Sequence, residues 1–139
     1  MNTEPAYFEA LGRSVDRALI DIKTEKAVGT PMTIAEVSTA FAKGEGLNRR
    51  RRAGLNSFEK GDEVWAVFDR DEHPYFQDAV NLCERHNVNV ARSNPCFEVW
   101  LILHREEYNR SDNRHQTQRH LSNVCPEYDP GRGKTPDCV

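Results

Sequence analysis

Residues 63–74 read Glu63-Val64-Trp65-Ala66-Val67-Phe68-Asp69-Arg70-Asp71-Glu72-His73-Pro74, and this stretch decides the fold. Its first seven residues form a nearly continuous apolar run of strand length that stops on an acid, as expected of a buried parallel strand. Pro74 then opens a helix running to about Arg85, with Phe76, Ala79, Val80 and Cys83 spaced along one face. Residues 88–92 form a second short strand. Strand, helix and strand in that order predict an α/β layer fold: a mainly parallel sheet with helices on both faces. In such folds functional groups collect at the carboxyl ends of strands.

Working outward, residues 5–16 place Phe8, Leu11 and Val15 at helical spacing, with Pro5 in the first turn. Residues 18–24 alternate well enough for a strand. Gly29, Thr30 and Pro31 break the chain, and residues 33–44 read as a helix with Ile34, Val37 and Phe41 on its inner face. Between 43 and 60 lie six basic residues against Glu45 and Glu59, a net charge of +4 in helix or loop. On the other side, residues 93–104 open a helix with Asn94 as N-cap and Pro95 in first position. The domain is expected to span 1–128. The stretch 129–139, with Pro130, Gly131, Gly133 and Pro136, is expected to be a poorly ordered tail.

The 139 residues make one ordinary domain, large enough to bury roughly 70% of its unfolded surface without a metal or disulfide staple. Hydrophobic residues are 37% and charged residues 29%, so the composition is polar but not that of a disordered chain. A net charge of −3 excludes a generally basic, histone-like binder and leaves room for a local basic patch. No stretch approaches a membrane span, and residues 1–13 carry no signal-peptide pattern. Cys83, Cys96, Cys125 and Cys138 form no CxxC pair and read as packed thiols of a cytoplasmic protein in preference to a disulfide framework or a zinc site.

Asp69 and Asp71 are the sharpest chemical signal. Residues two apart on an extended chain point the same way, so both carboxylates can face one point. Their mutual repulsion is relieved by a cation, and magnesium suits the pair because it takes one or two carboxylates and fills its shell with water and phosphate. The plainer reading is a solvated acidic turn. Glu98 sits in the first turn of an otherwise apolar helix, where burial requires a partner. It reads either as a third acid of the Asp69/Asp71 site, or as a structural group paired to an arginine such as Arg92 or favoured by the helix dipole. The run Arg49, Arg50, Arg51 and Arg52 reads as a solvated face or as contacts to a phosphate backbone. His115, His120 and Cys125 make no zinc pattern, and P-loop, GxGxxG and nucleophile-elbow motifs are absent.

Taken together, residues 3–8 (Thr-Glu-Pro-Ala-Tyr-Phe), 64–74 and 93–104 (Ser-Asn-Pro-Cys-Phe-Glu-Val-Trp-Leu-Ile-Leu-His) resemble the RloB-like family. These are small bacterial proteins of restriction and phage-defence gene clusters, similar to the Toprim superfamily. The resemblance implies a Toprim-like fold and a magnesium-dependent, or manganese-dependent, nuclease. Its DxD falls on Asp69 and Asp71, with an acid to move the proton. Family members carry an apolar strand ending in Glu-Gly ahead of the Thr-Glu-Pro stretch, whereas here Met1-Asn2 leads straight to Thr3. The resemblance thus implies a fold truncated at its first strand, with Glu4 the later acid of the motif.

The function expected is cleavage of nucleic-acid phosphodiester bonds, DNA or RNA, in defence against phage or foreign DNA. Asp69, Asp71 and Glu98 would be catalytic, Asp69 and Asp71 would hold the metal, and Arg49–Arg52 would bind the nucleic acid. An ATPase or restriction-system component is the protein partner implied, and no membrane is. The rival is a non-catalytic nucleic-acid-binding or partner-docking protein on the same scaffold, or a degenerate fragment.

Overall fold

Trp65–Asp69 is a strand, β1, followed by a helix over Phe76–Arg85 and a second strand, β2, over Asn89–Ser93; the strands pair in a parallel two-stranded sheet. The computed structural model describes residues 3–16, 20–22, 24, 29–44, 62–70 and 73–129. Within them the chain adds helices α1 (Thr3–Ser14), α2 (Pro31–Ala42), α4 (Glu98–Leu103) and α5 (Arg114–Val124), so the 76–85 helix is α3. The α/β class expected from the sequence is the class observed. The residues fall into two compact units, one of Ala27–Arg92 and one of Met1–Lys26 with Ser93–Val139.

In the Ala27–Arg92 unit, α2 and α3 pack on each other and α2 packs on β1. Ala35, Ala66, Phe68, Ala79, Val80, Cys83 and Val88 form the core, with Phe76, Ile34 and Val90 packed against it. Ala66 and Phe68 are buried while Trp65 is exposed and Val67 and Asp69 are half-buried. This is period-two alternation, rather than the strand buried on both faces that its apolar run suggested. The inner face of α3 is the one expected. It ends on Asn87 in the left-handed region, φ 55°, and the Val88 amide reaches back to the Cys83 carbonyl at 3.0 Å, which stops the helix and turns the chain into β2.

The face of α2 differs from expectation. Ala35, Ser38 and Thr39 point inward, while Val37 and Phe41 are 37% and 47% exposed. The small side chains let α2 approach α3 closely, and packing distance outweighs the longer apolar stripe one residue round the helix. Thr30 caps the helix by accepting from the Thr33 amide at 3.4 Å, and Pro31 occupies its first turn.

In the other unit, Ala6 and Tyr7 of α1 are buried, as are Cys96, Phe97, Leu101, Ile102, Thr117, Leu121, Cys125 and Tyr128. Tyr7 meets Phe97 edge-on with ring centroids 5.4 Å apart. The strand expected over 18–24 is not seen: the described positions 20–22 and 24 are irregular, and Ile20 is 55% exposed. The Asn94–Pro95 bond is cis, and the helix starts only at Glu98 with Phe97 in the cap position, so Asn94 is not its N-cap. Nor is α4 buried all round, since Trp100 and Leu103 are exposed. Cys83 and Cys96 are buried and outside any disulfide, as expected, and burial, with Glu84 nearby, pushes the Cys83 thiol up. Cys125, by contrast, is disulfide-bonded, a pairing that spacing alone does not reveal.

Candidate functional site

Asp69 closes β1 at the carboxyl end of the parallel pair. It shares a face with Trp65 and Val67, opposite the face that carries Ala66 and Phe68 into the core. The carboxylate is half-buried, with its Oδ1 shielded from solvent. At the amino end the acid behaves differently. Exposed Glu63 accepts from Trp65 Nε1 at 3.1 Å and from Asn89 Nδ2 at 3.2 Å, tying the starts of the two strands together. The Asn89 amide donates to the Val64 carbonyl at 2.9 Å and sets their register. One acid thus serves the sheet and the other is held, partly desolvated, where α/β folds place their chemistry.

Asp71 and Glu72 lie outside the described residues, as do Arg49, Arg50, Arg51 and Arg52. Among the described residues no group of three or more His, Cys, Asp or Glu side chains gathers as a metal cluster. The donor chemistry at Asp69 nevertheless fits magnesium, which is commonly held by one or two carboxylates and otherwise by water. His73, just before the turn that leads into α3, is exposed.

Glu98 lies in the Met1–Lys26/Ser93–Val139 unit and is 7% exposed. Its partners are neutral donors from its own unit, not an arginine: the Tyr128 hydroxyl donates to Glu98 Oε1 at 2.6 Å and Gln118 Nε2 donates to the same oxygen at 3.4 Å. Burial, then the hydrogen bond and charge of Glu98, hold the Tyr128 phenol far above its ordinary range. Tyr7 and His104, 97 residues apart, meet through the Tyr7 hydroxyl and His104 Nε2 at 3.0 Å. The first and third motif stretches therefore converge on one aromatic cluster. Tyr7 and His104 were inside those stretches, but Gln118 and Tyr128 lie in a polar region whose pattern gives no sign of a contact with Glu98.

These features define an α/β protein with a sheltered acid at the carboxyl end of a parallel strand, and a second, hydrogen-bonded buried acid in its other unit. Residues 1–137 match the family of RloB-like proteins, and the chain belongs to the RloB-like family. No curated protein and no solved structure matches it. Among the described residues no helix is long and apolar enough to cross a membrane.

Proposed function

We propose that this RloB-like protein is a magnesium-dependent nuclease of Toprim type, acting in the cytoplasm on nucleic-acid phosphodiester bonds in defence against phage or foreign DNA, alongside an ATPase or restriction-system partner. The observation that supports this most is the partly desolvated carboxylate of Asp69 at the carboxyl end of β1. In this reading Asp69 and Asp71 hold magnesium or manganese, and Arg49–Arg52 neutralise the phosphates flanking the reacting one. When bound, the ion supplies electrostatic stabilisation of the charge developing on the reacting phosphate. The protein's own part is to fix the Asp69 carboxylate at the end of β1 and to hold the polyanion in place.

The non-catalytic reading, a nucleic-acid-binding scaffold, is favoured by one observation. Glu98, expected as a supporting acid, already has its carboxylate engaged by Tyr128 and Gln118, which is how a protein satisfies a buried acid for packing. Calorimetric titration of the chain with magnesium, paired with a cleavage assay on single- and double-stranded DNA and RNA, separates the two. Asp69→Ala is expected to weaken magnesium binding by about 10- to 100-fold, at least the loss seen when an outer-shell partner of a metal is removed. Cleavage should fall with it and stop in chelator. Nucleic-acid binding without magnesium uptake or cleavage would establish the scaffold reading instead.

A further inference from the structure

Strand β2 pairs with β1 on one side, and no described strand pairs with it on the other. Its Asn89 amide turns toward β1, donating to the Val64 carbonyl at 2.9 Å. Main-chain groups alternate sides along a strand, so the N–H and C=O of Val90 and Arg92 turn to the open edge. Val88, just ahead of the strand, turns its carbonyl the same way, while its N–H is taken by the Cys83 carbonyl at 3.0 Å.

A groove of about 280 Å³ runs along this open edge, lined by Val80 and Glu84 of α3 and by Val88, Asn89, Val90 and Arg92, with no residue of β1. Period two places the side chains of Val88, Val90 and Arg92 on the α3 side of the strand. Val80 and Val88 belong to the core and Val90 packs against it, so the floor is apolar. Its ends are charged. The bond between Val88 and Cys83 holds exposed Glu84 at the amino end of β2, and exposed Arg92 lies near the carboxyl end. Neither the Glu84 carboxylate nor the Arg92 guanidinium has an ion-pair partner among the described residues.

A charge on an edge strand ordinarily discourages the addition of another strand. Here an acid and a cation sit at opposite ends of one groove, and a two-fold axis through Val90 carries each onto the other. Asp78 and Arg85, which line the neighbouring hollow with Glu84, add one charge of each sign. The surface therefore suits neither a polyanion nor a polycation. It is complementary to itself.

We propose that β2 pairs antiparallel with the β2 of a second copy of this chain, continuing the sheet across a two-fold axis. Val90 of each copy exchanges its N–H and C=O with the other, and each Arg92 N–H donates to the opposite Val88 carbonyl. Val88 and Arg92 then stand opposite each other, which brings each guanidinium beside the other copy's Glu84. Such an interface is isologous and closes on itself, giving a dimer and not a fibre. The pairing needs neither metal nor nucleic acid and goes beyond the function proposed above.

Analytical ultracentrifugation of the intact chain is expected to show a monomer–dimer equilibrium. Glu84→Arg should raise the dimer Kd about 10- to 100-fold, since it removes an ion pair and adds a like-charge contact at both ends. Arg92→Glu should do the same, and the chain carrying both substitutions should regain most of the dimer because its charges match again. Both positions are exposed, so each variant's circular dichroism should match that of the intact chain. Salt tests the pairing without any substitution: the intact dimer should weaken as ionic strength rises from about 0.05 to 0.5 M. A chain that stays monomeric up to about 1 mM overturns the pairing. So does a dimer indifferent to salt and to the single substitutions, or one that the double substitution fails to restore, since Glu84 and Arg92 then do not meet.

Discussion

Phe97→Ala is expected to lower the unfolding free energy by about 3–5 kcal/mol, the usual loss for a buried aromatic truncated to a methyl group. The melting temperature should drop by about 10–20 °C. Phe97 is 2% exposed, and its ring touches Tyr7 at 5.4 Å and Phe8 at 6.1 Å while backing Trp100 at 6.3 Å. One side chain therefore joins α1 to α4, elements more than eighty residues apart in the sequence. Removing it forfeits the buried area and opens a void beside Leu101 and Ile102, both fully buried, and the edge-to-face contacts go as well. Chemical denaturation followed by Trp100 emission in the Trp65→Phe background measures this unit directly. Leu103→Ala, on the exposed side of the same helix, is the control and should change stability by no more than about 0.5 kcal/mol. A Phe97→Ala loss as small as the control's would mean that α1 and α4 are not joined through these rings in solution.

The parts of this fold legible in the sequence are those where pattern and packing agree. Residues 63–92 announce strand, helix and strand because an apolar run, a proline and a helical face follow one another, and Ala79, Val80 and Cys83 are buried as their spacing predicts. The α2 face was not legible: apolar periodicity ranks Val37 and Phe41 above Ala35 and Ser38, but close helix packing selects small residues. Helix α5 escaped because only Thr117 and Leu121 are buried in it, too few for an apolar stripe. Its start was nonetheless written in Asn113 and Gln116, a capping box whose two reciprocal hydrogen bonds measure 3.0 and 2.9 Å. The site divides in the same way. Asp69 stands where a strand-ending acid should, whereas the partners of Glu98 come from a separate helix and a turn, and only the folded chain brings them together.

Tyr128→Phe is the second large effect, expected to cost about 2–3 kcal/mol near neutral pH. The variant leaves Glu98 7% exposed without its 2.6 Å donor, and hydrogen bonds to charged groups contribute about 1.5–3 kcal/mol. The pH dependence identifies the bond. Burial and Glu98 raise the phenol's pKa in the folded state above the value of about 10 that it has unfolded. Folding therefore favours the neutral form. The stabilisation is complete below about pH 10, and it is lost as pH rises further, because the unfolded chain releases a proton that the folded chain keeps. Above that point this residue alone should lower stability by about 1.4 kcal/mol per pH unit. Tyr128→Phe cannot show that slope, so urea denaturation of both proteins at about pH 8 and pH 11 should find the gap between them narrowing by roughly that amount. A constant gap would mean that the hydroxyl does not hold Glu98. Glu98→Gln completes the comparison, since its carbonyl oxygen can still accept from Tyr128 and most of the stability should remain. If magnesium-dependent cleavage is lost in that folded variant, Glu98 acts in the chemistry; if cleavage persists, its work is to bind α4, α5 and the Tyr128 turn together.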